Sequence, residues 1–474
     1  MNRAEVRRRP TRRGAADPRR CAIEIVERAL SARGAFAQEL LSERLAKTHF
    51  KVEDRRLCAE LTYGVIRRLA TLDAVIAAYA DAPFERIEPA ARHILRLGIY
   101  QLLFLDRVPD HAAVDESVRL AHAMGSGRAS GFVNGVLRAL ARDVRFAERA
   151  DADRPRESFE LLPGRACTFG RPVLPPPARL AAWLAASQSF PEWLMGRWLA
   201  RCGTTRARQL CAVSNAPPPL FVRPNCLRTA TDALRRALAE EGVEAAPSVS
   251  GRTLRLPPHT IPDRLMTFRE GLFAVQDDAA AQTAPFLDPQ PGEKVLDLCA
   301  APGGKTCHMA ELMENRGEIV AVDASRRRHA RLRENMQRLG CNNVTVVEAD
   351  AADFAVQHRG RFDRVLLDAP CSNTGVLRRR VEARWRLSDA ALAQRVALQR
   401  KLLGAALLAV KLGGRLVYST CSLEPEENGE LVAAVLASAE GFRLDEERQL
   451  EPERDGGDGI YMARIVRGNA EATS

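Results

Sequence analysis

From Val295 to Thr306 the chain reads Val-Leu-Asp-Leu-Cys-Ala-Ala-Pro-Gly-Gly-Lys-Thr. Val295 to Leu298 predicts a short buried parallel strand, because Gly292 ahead and Pro302-Gly303-Gly304 behind bound an apolar run. Cys307 to Met313 predicts a helix. A strand, a glycine-rich turn and a helix leave free backbone N–H groups at a helix N-terminus, where nucleotide-like cofactors sit. The two glycines let a ligand approach the backbone that a Cβ would obstruct.

Gly304-Lys305-Thr306 also matches the end of a phosphate-binding P-loop, but that motif needs a glycine where this chain has Cys299. The dinucleotide pattern G-x-G-x-x-G is absent as well. A ribose-binding site wants an acid ending the next strand, about 20 residues on, and Glu318-Ile-Val-Ala-Val-Asp323 supplies both strand and acid. A lone Gly-Gly turn is often an ordinary tight turn. With Asp323 in register, a Rossmann-like adenosine site is the better reading.

From Asp277 onward strands and helices alternate, which predicts a doubly wound parallel sheet. The strands fall at Lys294–Leu298, Glu318–Asp323, Asn343–Glu348, Arg361–Leu367, Arg415–Ser419 and Tyr461–Val466, with helices at Ser325–Leu339 and Ser388–Lys411. Ligands in such sheets gather beyond the carboxyl ends of the strands. The residues there are Cys299, Ala300, Ala301, Pro302, Gly303, Gly304 and Lys305, then Asp323, Asp350, Asp368 with Cys371, and Thr420 with Cys421.

Ahead of this region the chain changes character. Residues 1–20 form a basic tail with eight arginines and no apolar core, so they are not a secretory signal. Residues 21–145 are helical throughout, with apolar residues at three- and four-residue spacing in Ala22–Leu30, Arg55–Ala80 and Pro89–Phe104. His111 and Asn134 in this region suit helix-start or turn roles better than catalytic ones. Residues 146–180, with Arg171-Pro-Val-Leu-Pro-Pro-Pro177, predict a semi-rigid linker. Residues 181–275 predict a small α/β module for single-stranded RNA, with Trp183, Trp193 and Trp198 at helical, core-like spacing. Residues 276–470 form the sheet domain.

The chain of 474 residues carries 71 Lys plus Arg against 60 Asp plus Glu, a net charge of +11 that favours a polyanionic partner such as RNA. No apolar run is long enough to span a membrane. Eleven cysteines without a C-x-x-C pair argue against a zinc site or a disulfide framework and for free thiols in a reducing cytosol.

Two thiols beside an adenosine-type cofactor suggest one reaction. C5 of cytosine is too poor a nucleophile to take a methyl group unaided. Thiolate addition at C6 makes C5 enamine-like, able to attack the sulfonium methyl of S-adenosylmethionine. A carboxyl group at the N3 and N4 edge, for which Asp368 is placed, would tell cytosine from uracil. Asp323 suits the ribose hydroxyls and Asp350 an adenine amino group, although either acid could simply cap the following turn. The C5 proton must then leave and the thiol be expelled, which gives a second thiol or base a role. A free thiol is only slightly ionised at neutral pH; Glu424, Glu426 and Glu427 oppose ionisation of Cys421, and Lys305 is the nearby cation that could offset them.

Val295–Thr306, Asp368-Ala-Pro-Cys371 and Ser419-Thr-Cys-Ser-Leu-Glu-Pro-Glu-Glu-Asn428 together resemble three motifs of the RNA cytosine-C5 methyltransferases, and Gly271-Leu-Phe-Ala-Val-Gln-Asp-Asp278 resembles that family's lead-in segment. Gly98–Val118 and Gly131–Arg138 resemble the NusB-like RNA-binding domain. In combination they are similar to the small-subunit (16S) ribosomal RNA cytosine-C5 methyltransferase B group. The resemblance implies three parts: an all-α NusB-like N-terminal domain, a small α/β module and a C-terminal Rossmann-like α/β methyltransferase domain. It also implies S-adenosylmethionine as cofactor, a small-subunit RNA substrate, Cys421 as the nucleophile and Cys371 as the thiol assisting release. DNA cytosine methyltransferases use a Pro-Cys nucleophile instead, and spacing alone does not choose between the two cysteines. The same chemistry on transfer RNA or another ribosomal RNA site, or a non-catalytic RNA-binding scaffold, are the alternatives; a scaffold would be expected to lose Cys421, Asp323 or the Gly-Gly turn. The chain departs from the family at Arg380-Val381-Glu382, where His-Pro-Asp is usual, and at Ile460-Tyr461, where Phe-Phe is usual.

Overall fold

The computed structural model describes residues 17–31, 35–125 and 127–468, so most of the basic stretch 1–20 lies outside the described residues. The chain divides into two compact units. One is Met1–Cys211 together with Arg380–Arg386, the other Ala212–Arg379 together with Leu387–Ser474.

The first unit is built on helices Pro18–Leu30, Ala37–Ala46, Val52–Arg67, Leu69–Tyr79, Pro89–Phe104, Asp110–Ala123 and Gly127–Asp143. Pro89–Phe104 is apolar almost all round, burying Ile94, Leu95, Leu97, Ile99, Leu102 and Leu103, so it takes the centre. Gly98 sits where a Cβ would press on the side chains of Leu137 and Ser117. The continuous pattern from 55 to 80 makes two helices rather than one, because Arg68 leaves the helical region at φ −104°, ψ 15°. His111 lies in the first turn of Asp110–Ala123, a helix-start position as read from the sequence, whereas Asn134 lies inside helix Gly127–Asp143, at neither a start nor a turn, and its carboxamide accepts from Arg138 Nε at 2.8 Å.

Two expectations about the middle of the chain change. The stretch expected to be a linker carries strands β1 (Arg145–Ala147), β2 (Ser158–Leu162) and β3 (Arg165–Thr168), an antiparallel sheet in the order β1-β3-β2. Phe159, Leu161, Cys167, Phe169 and Leu174 are buried in the same core as the helices. Enough apolar surface leaves water there to order the segment, whatever its prolines. The tryptophan-bearing helices also group differently, since residues up to Cys211 cluster with the helical unit rather than the small module. Trp198 is fully buried against Phe190, and Trp183 donates to the Pro155 carbonyl at 2.8 Å, so both are core residues.

Residues 380–386, which include the departure from the family's His-Pro-Asp, fold into this helical unit. Trp385 Nε1 donates to the Ile66 carbonyl at 2.7 Å, and Arg386 Nη2 to that of Ala35 at 2.8 Å. Glu382 accepts from Ala37 N–H at 3.2 Å, at the start of a helix that has no side-chain cap at its N-cap residue. Arg384 is buried, with its guanidinium 4.2 Å from the Phe190 ring centroid.

The second unit opens with an antiparallel sheet of β4 (Leu220–Pro224), β5 (Ala246–Pro247), β6 (Leu254–Leu256) and β7 (Phe273–Val275), ordered β5-β6-β4-β7 and covered by helix Thr231–Glu240. A seven-stranded sheet follows: β8 (Lys294–Leu298), β9 (Glu318–Val322), β10 (Val344–Val347), β11 (Phe362–Asp368), β12 (Val410–Thr420), β13 (Phe442–Leu450) and β14 (Ile460–Arg467). Its order is β10-β9-β8-β11-β12-β14-β13. The first five pair in parallel, and β14 alone runs the other way, antiparallel to β12 on one side and to β13 on the other, in a Rossmann-like sheet. The expected parallel sheet is corrected at β14, which turns back after β13 and inserts between it and β12. The small sheet is fixed to the large one by buried polar contacts. Asn225 Nδ2 donates to the carbonyls of Gly271 and Leu339, both at 2.8 Å, and Arg223 Nη2 donates to Glu311 at 2.9 Å.

Candidate active site

The parallel strands bring their carboxyl ends together, and the cofactor-loop residues follow β8 there. Cys299 turns the chain at φ 63°, Ala300 N–H donates to the Val322 carbonyl at 3.0 Å, and Gly303 holds φ 96°. A Cβ on Gly303 would strike the Leu332 side chain of helix Arg326–Leu339, whereas one on Gly304 would meet only Gln276 Nε2, at 3.8 Å. The glycine requirement at Gly303 thus comes from packing and backbone conformation, not from room for a ligand as the sequence suggested. Helix Gly304–Leu312 starts directly after it.

Four carboxylates surround this turn. Asp323, 1 % exposed, accepts from Ala301 N–H at 3.2 Å, from Ser325 N–H at 2.8 Å and from Arg328 at 3.0 Å. Its backbone carbonyl lies 2.8 Å from His329 Nε2. Asp350 caps helix Ala351–Gln357 through Oδ1, at 3.0 Å from Ala352 N–H and 3.1 Å from Asp353 N–H; Oδ2 takes no part in the cap. Asp368 ends β11, accepts from Ser419 Oγ at 2.8 Å and is ion-paired with Lys305. Lys305 therefore stands against Asp368, not against the thiol it was expected to support.

The fourth acid, Asp297, was not singled out from the sequence. It lies inside β8 and is fully buried; Oδ2 accepts from Thr306 Oγ1 at 2.6 Å and Oδ1 has no hydrogen-bond partner. Burial, reinforced by Asp368, pushes its carboxyl up to about 7. The signal was available, since Val-Leu-Asp-Leu puts an acid in an otherwise apolar strand. Burial also pushes the Cys299 thiol up to about 12, with Asp368 and Asp323 adding to it, so Cys299 is an inert wall of the crevice.

Beyond the ends of β11 and β12 the other two cysteines meet, with Cys371 Sγ and Cys421 Sγ 3.2 Å apart. Asn373 joins them, its Oδ1 accepting from Cys421 Sγ at 3.4 Å and its Nδ2 donating to the Cys371 carbonyl at 2.9 Å. Its left-handed backbone, φ 64°, turns the side chain back over the pair. The Cys371 thiol is held well above its ordinary range by the hydrogen bond with Cys421 and then by burial, with Glu427 adding to it. Cys371 is the more buried of the two, and Cys421 the more accessible.

Glu427 holds the two loops in register. It is 0 % exposed, accepts from Ser372 N–H at 2.9 Å and from Gln399 Nε2 at 3.0 Å, and bonds the Ser372 hydroxyl. Burial raises its carboxyl above the usual range. Thr374 Oγ1 accepts from Leu423 N–H at 2.8 Å, and Gly375 N–H donates to the Cys421 carbonyl at 2.9 Å, which completes the seam. The sequence marked Glu427 only as a charge opposing ionisation of Cys421; its place under the loops comes from a contact between segments far apart in the chain.

Three known families match successive parts of the chain. Residues 284–467 match the family model for 16S rRNA methyltransferase RsmB/F, residues 16–142 that of the NusB family, and residues 190–257 that of a Methyltr_RsmF/B-like ferredoxin-like domain. The probable ribosomal RNA small subunit methyltransferase B of Synechocystis sp. is 37 % identical over 89 % of both chains. The ribosomal RNA small subunit methyltransferase B of Erwinia tasmaniensis is 34 % identical, over 88 % of this chain and 91 % of its own. A solved methyltransferase homolog protein from Pyrococcus horikoshii superposes with a TM-score of 0.55 at 28 % identity, covering 62 % of this chain and all of its own. A sheet that gathers acids and paired thiols at its carboxyl ends and carries likenesses spanning nearly the whole chain leaves one assignment: this protein belongs to the ribosomal RNA small subunit methyltransferase B family.

Proposed function

We propose that the protein methylates C5 of a cytosine in 16S rRNA, with S-adenosylmethionine as methyl donor and Cys421 as the nucleophile. The observation that carries this reading is the thiol pair, 3.2 Å apart, beyond the strand that Asp368 ends. The acids around the glycine turn suit the donor groups of that cofactor. Asp297 Oδ1 is a buried acceptor with no partner, Asp323 closes β9 where a ribose-binding acid belongs, and Asp350 keeps Oδ2 outside its cap. When bound, the cofactor supplies an electrophilic sulfonium methyl group.

The protein's own residues do the rest. Cys421, the more accessible thiol, gives up its proton and adds to C6, which turns C5 into a nucleophilic carbon. Asp368, oriented by Ser419 and Lys305, faces the N3 and N4 edge of the ring. Once C5 carries the methyl group it still holds its proton. Removal of that proton restores the double bond and expels Cys421, and Cys371 assists this step. Asn373 keeps the two sulfurs in register.

Cysteine-to-alanine variants separate the two thiols. Cys421→Ala abolishes methylation and any covalent protein–RNA species. Cys371→Ala still forms the adduct but releases it slowly, so a denaturant-resistant protein–RNA band accumulates in the presence of cofactor and RNA. The band disappears in the double variant. A band in Cys421→Ala with none in Cys371→Ala would reverse the two roles, and mapping bisulfite-resistant cytosines in 16S rRNA from cells with and without the protein identifies the target.

A further inference from the structure

Helix Arg326–Leu339 holds six arginines, at 326, 327, 328, 331, 333 and 338, against a single acid, Glu334. Three of the six, Arg327, Arg328 and Arg338, have work inside the protein. Arg328 pairs with Asp323 at 3.0 Å, and Arg338 donates to the carbonyls of Phe268 and Phe273 at 3.0 and 2.8 Å. Arg326, Arg331 and Arg333 are exposed, and among the described residues their side chains make no hydrogen bond, ion pair or ring contact.

In the protein alone these charges are unfavourable. A cation in the first turn opposes the helix dipole, and the first turn here holds arginines and no acid. Arg331 follows Arg327 by four residues and Arg328 by three, spacings at which like charges repel. The inward face needs none of this, since His329, Leu332 and Leu339 supply the burial. A surface with a local electrostatic penalty and no internal partner is complementary to an external polyanion.

Its position fits that partner. The helix begins three residues after Asp323, at the rim of the crevice that holds the candidate site, and runs beside β9 and β10, the sheet flank away from β12. Fourteen helical residues extend about 20 Å, enough to follow several backbone phosphates. Arginine suits them because its planar fork donates to phosphate oxygens in pairs.

We propose that Arg326, Arg331 and Arg333 form a phosphate track on which the RNA substrate lies outside the catalytic crevice; this rests on the reading of the protein as an RNA methyltransferase. Each neutralised phosphate contributes about 0.7–0.9 to the slope of log K against log salt. The test compares the full-length protein with a variant carrying Arg326→Gln, Arg331→Gln and Arg333→Gln, titrated with in vitro transcribed 16S rRNA over a series of salt concentrations. Glutamine keeps the helix propensity, and thermal melts and cofactor titrations confirm that fold and cofactor site are intact. The expected result is a slope shallower by about 2–3 in the triple variant, a raised KM for RNA and an unchanged kcat at saturating RNA. Parallel salt slopes for the two proteins, with the wild type binding steeply, would overturn the track and leave the RNA reading standing. A wild type that does not bind the rRNA at any salt overturns both.

Discussion

Asp297 is an acid set in an apolar strand, and its burial gives stability a sign with pH. Its folded value of about 7 lies above the ordinary carboxylate value of 3.8, so between these two the native state keeps a proton that the unfolded chain has lost. The stabilising contribution is complete below the unfolded value and is lost as pH rises through 7. Asp297→Asn removes that titration, so the variant matches the wild type near pH 4 and exceeds it above pH 7 by at most about 4 kcal/mol. Urea melts at pH 4 and pH 8 check this, and a difference that stays constant across that range sinks it. The same substitution removes a charged acceptor from the crevice and weakens cofactor binding in calorimetry. At this scale the sequence names atoms but not their partners. Cys371, Cys421 and Asp368 could be marked because strand ends converge, whereas Lys305 was assigned to the wrong neighbour. Its four-carbon stem reaches Asp368 across the crevice, a choice that only tertiary geometry makes.

Among the elements, those with an apolar period were legible and those without it were not. β8 falls at the expected residues, Lys294–Leu298, and helix Arg326–Leu339 begins one residue inside the expected span. β13, Phe-Arg-Leu-Asp-Glu-Glu-Arg-Gln-Leu, was missed because it is an edge strand exposed along most of its length and so shows no apolar alternation. β2 and β3 were missed for another reason. They are short, and the charged and proline-rich residues around them set the composition of the window, although Phe159 and Leu161 alternate as a strand should. The turn between β8 and helix Gly304–Leu312 has little room for an added methyl group at Gly303. Gly303→Ala meets both the positive φ and the Leu332 side chain, and it lowers stability by about 1–3 kcal/mol. Adding Leu332→Ala relieves the steric part and leaves the conformational part, so a double-mutant cycle shows coupling; additive losses would mean that Leu332 is not the obstacle.

For the whole molecule, the useful division is into units that are not continuous in sequence. Residues 380–386 belong to the helical unit, where Trp385, Arg386 and Glu382 bond to Ile66, Ala35 and Ala37. Removing residues 1–145 lowers RNA affinity and its salt dependence while sparing cofactor binding, which salt-series RNA titrations and cofactor calorimetry check. The structure adds a consequence, because that deletion removes the partners of Glu382, Trp385 and Arg386. Trypsin cuts after Arg386 slowly in the full-length protein, where that side chain is held on the Ala29 and Ala35 carbonyls, and rapidly in the truncated one. Equal resistance of the two would show that the segment finds other cover. The division into helical, small α/β and Rossmann-like parts was readable from periodicity and motif spacing. The return of seven residues to the first unit was not, because nothing in Arg-Val-Glu-Ala-Arg-Trp-Arg distinguishes an inserted segment from an ordinary loop. On the ribosome this arrangement imposes an order in time. The helices near the N-terminus leave the exit tunnel first, yet the piece that completes their unit emerges only after the small sheet, the glycine turn and four strands of the large sheet have been made. At roughly 5–20 residues per second the delay is on the order of ten to thirty seconds, during which the nascent helical unit waits unfinished.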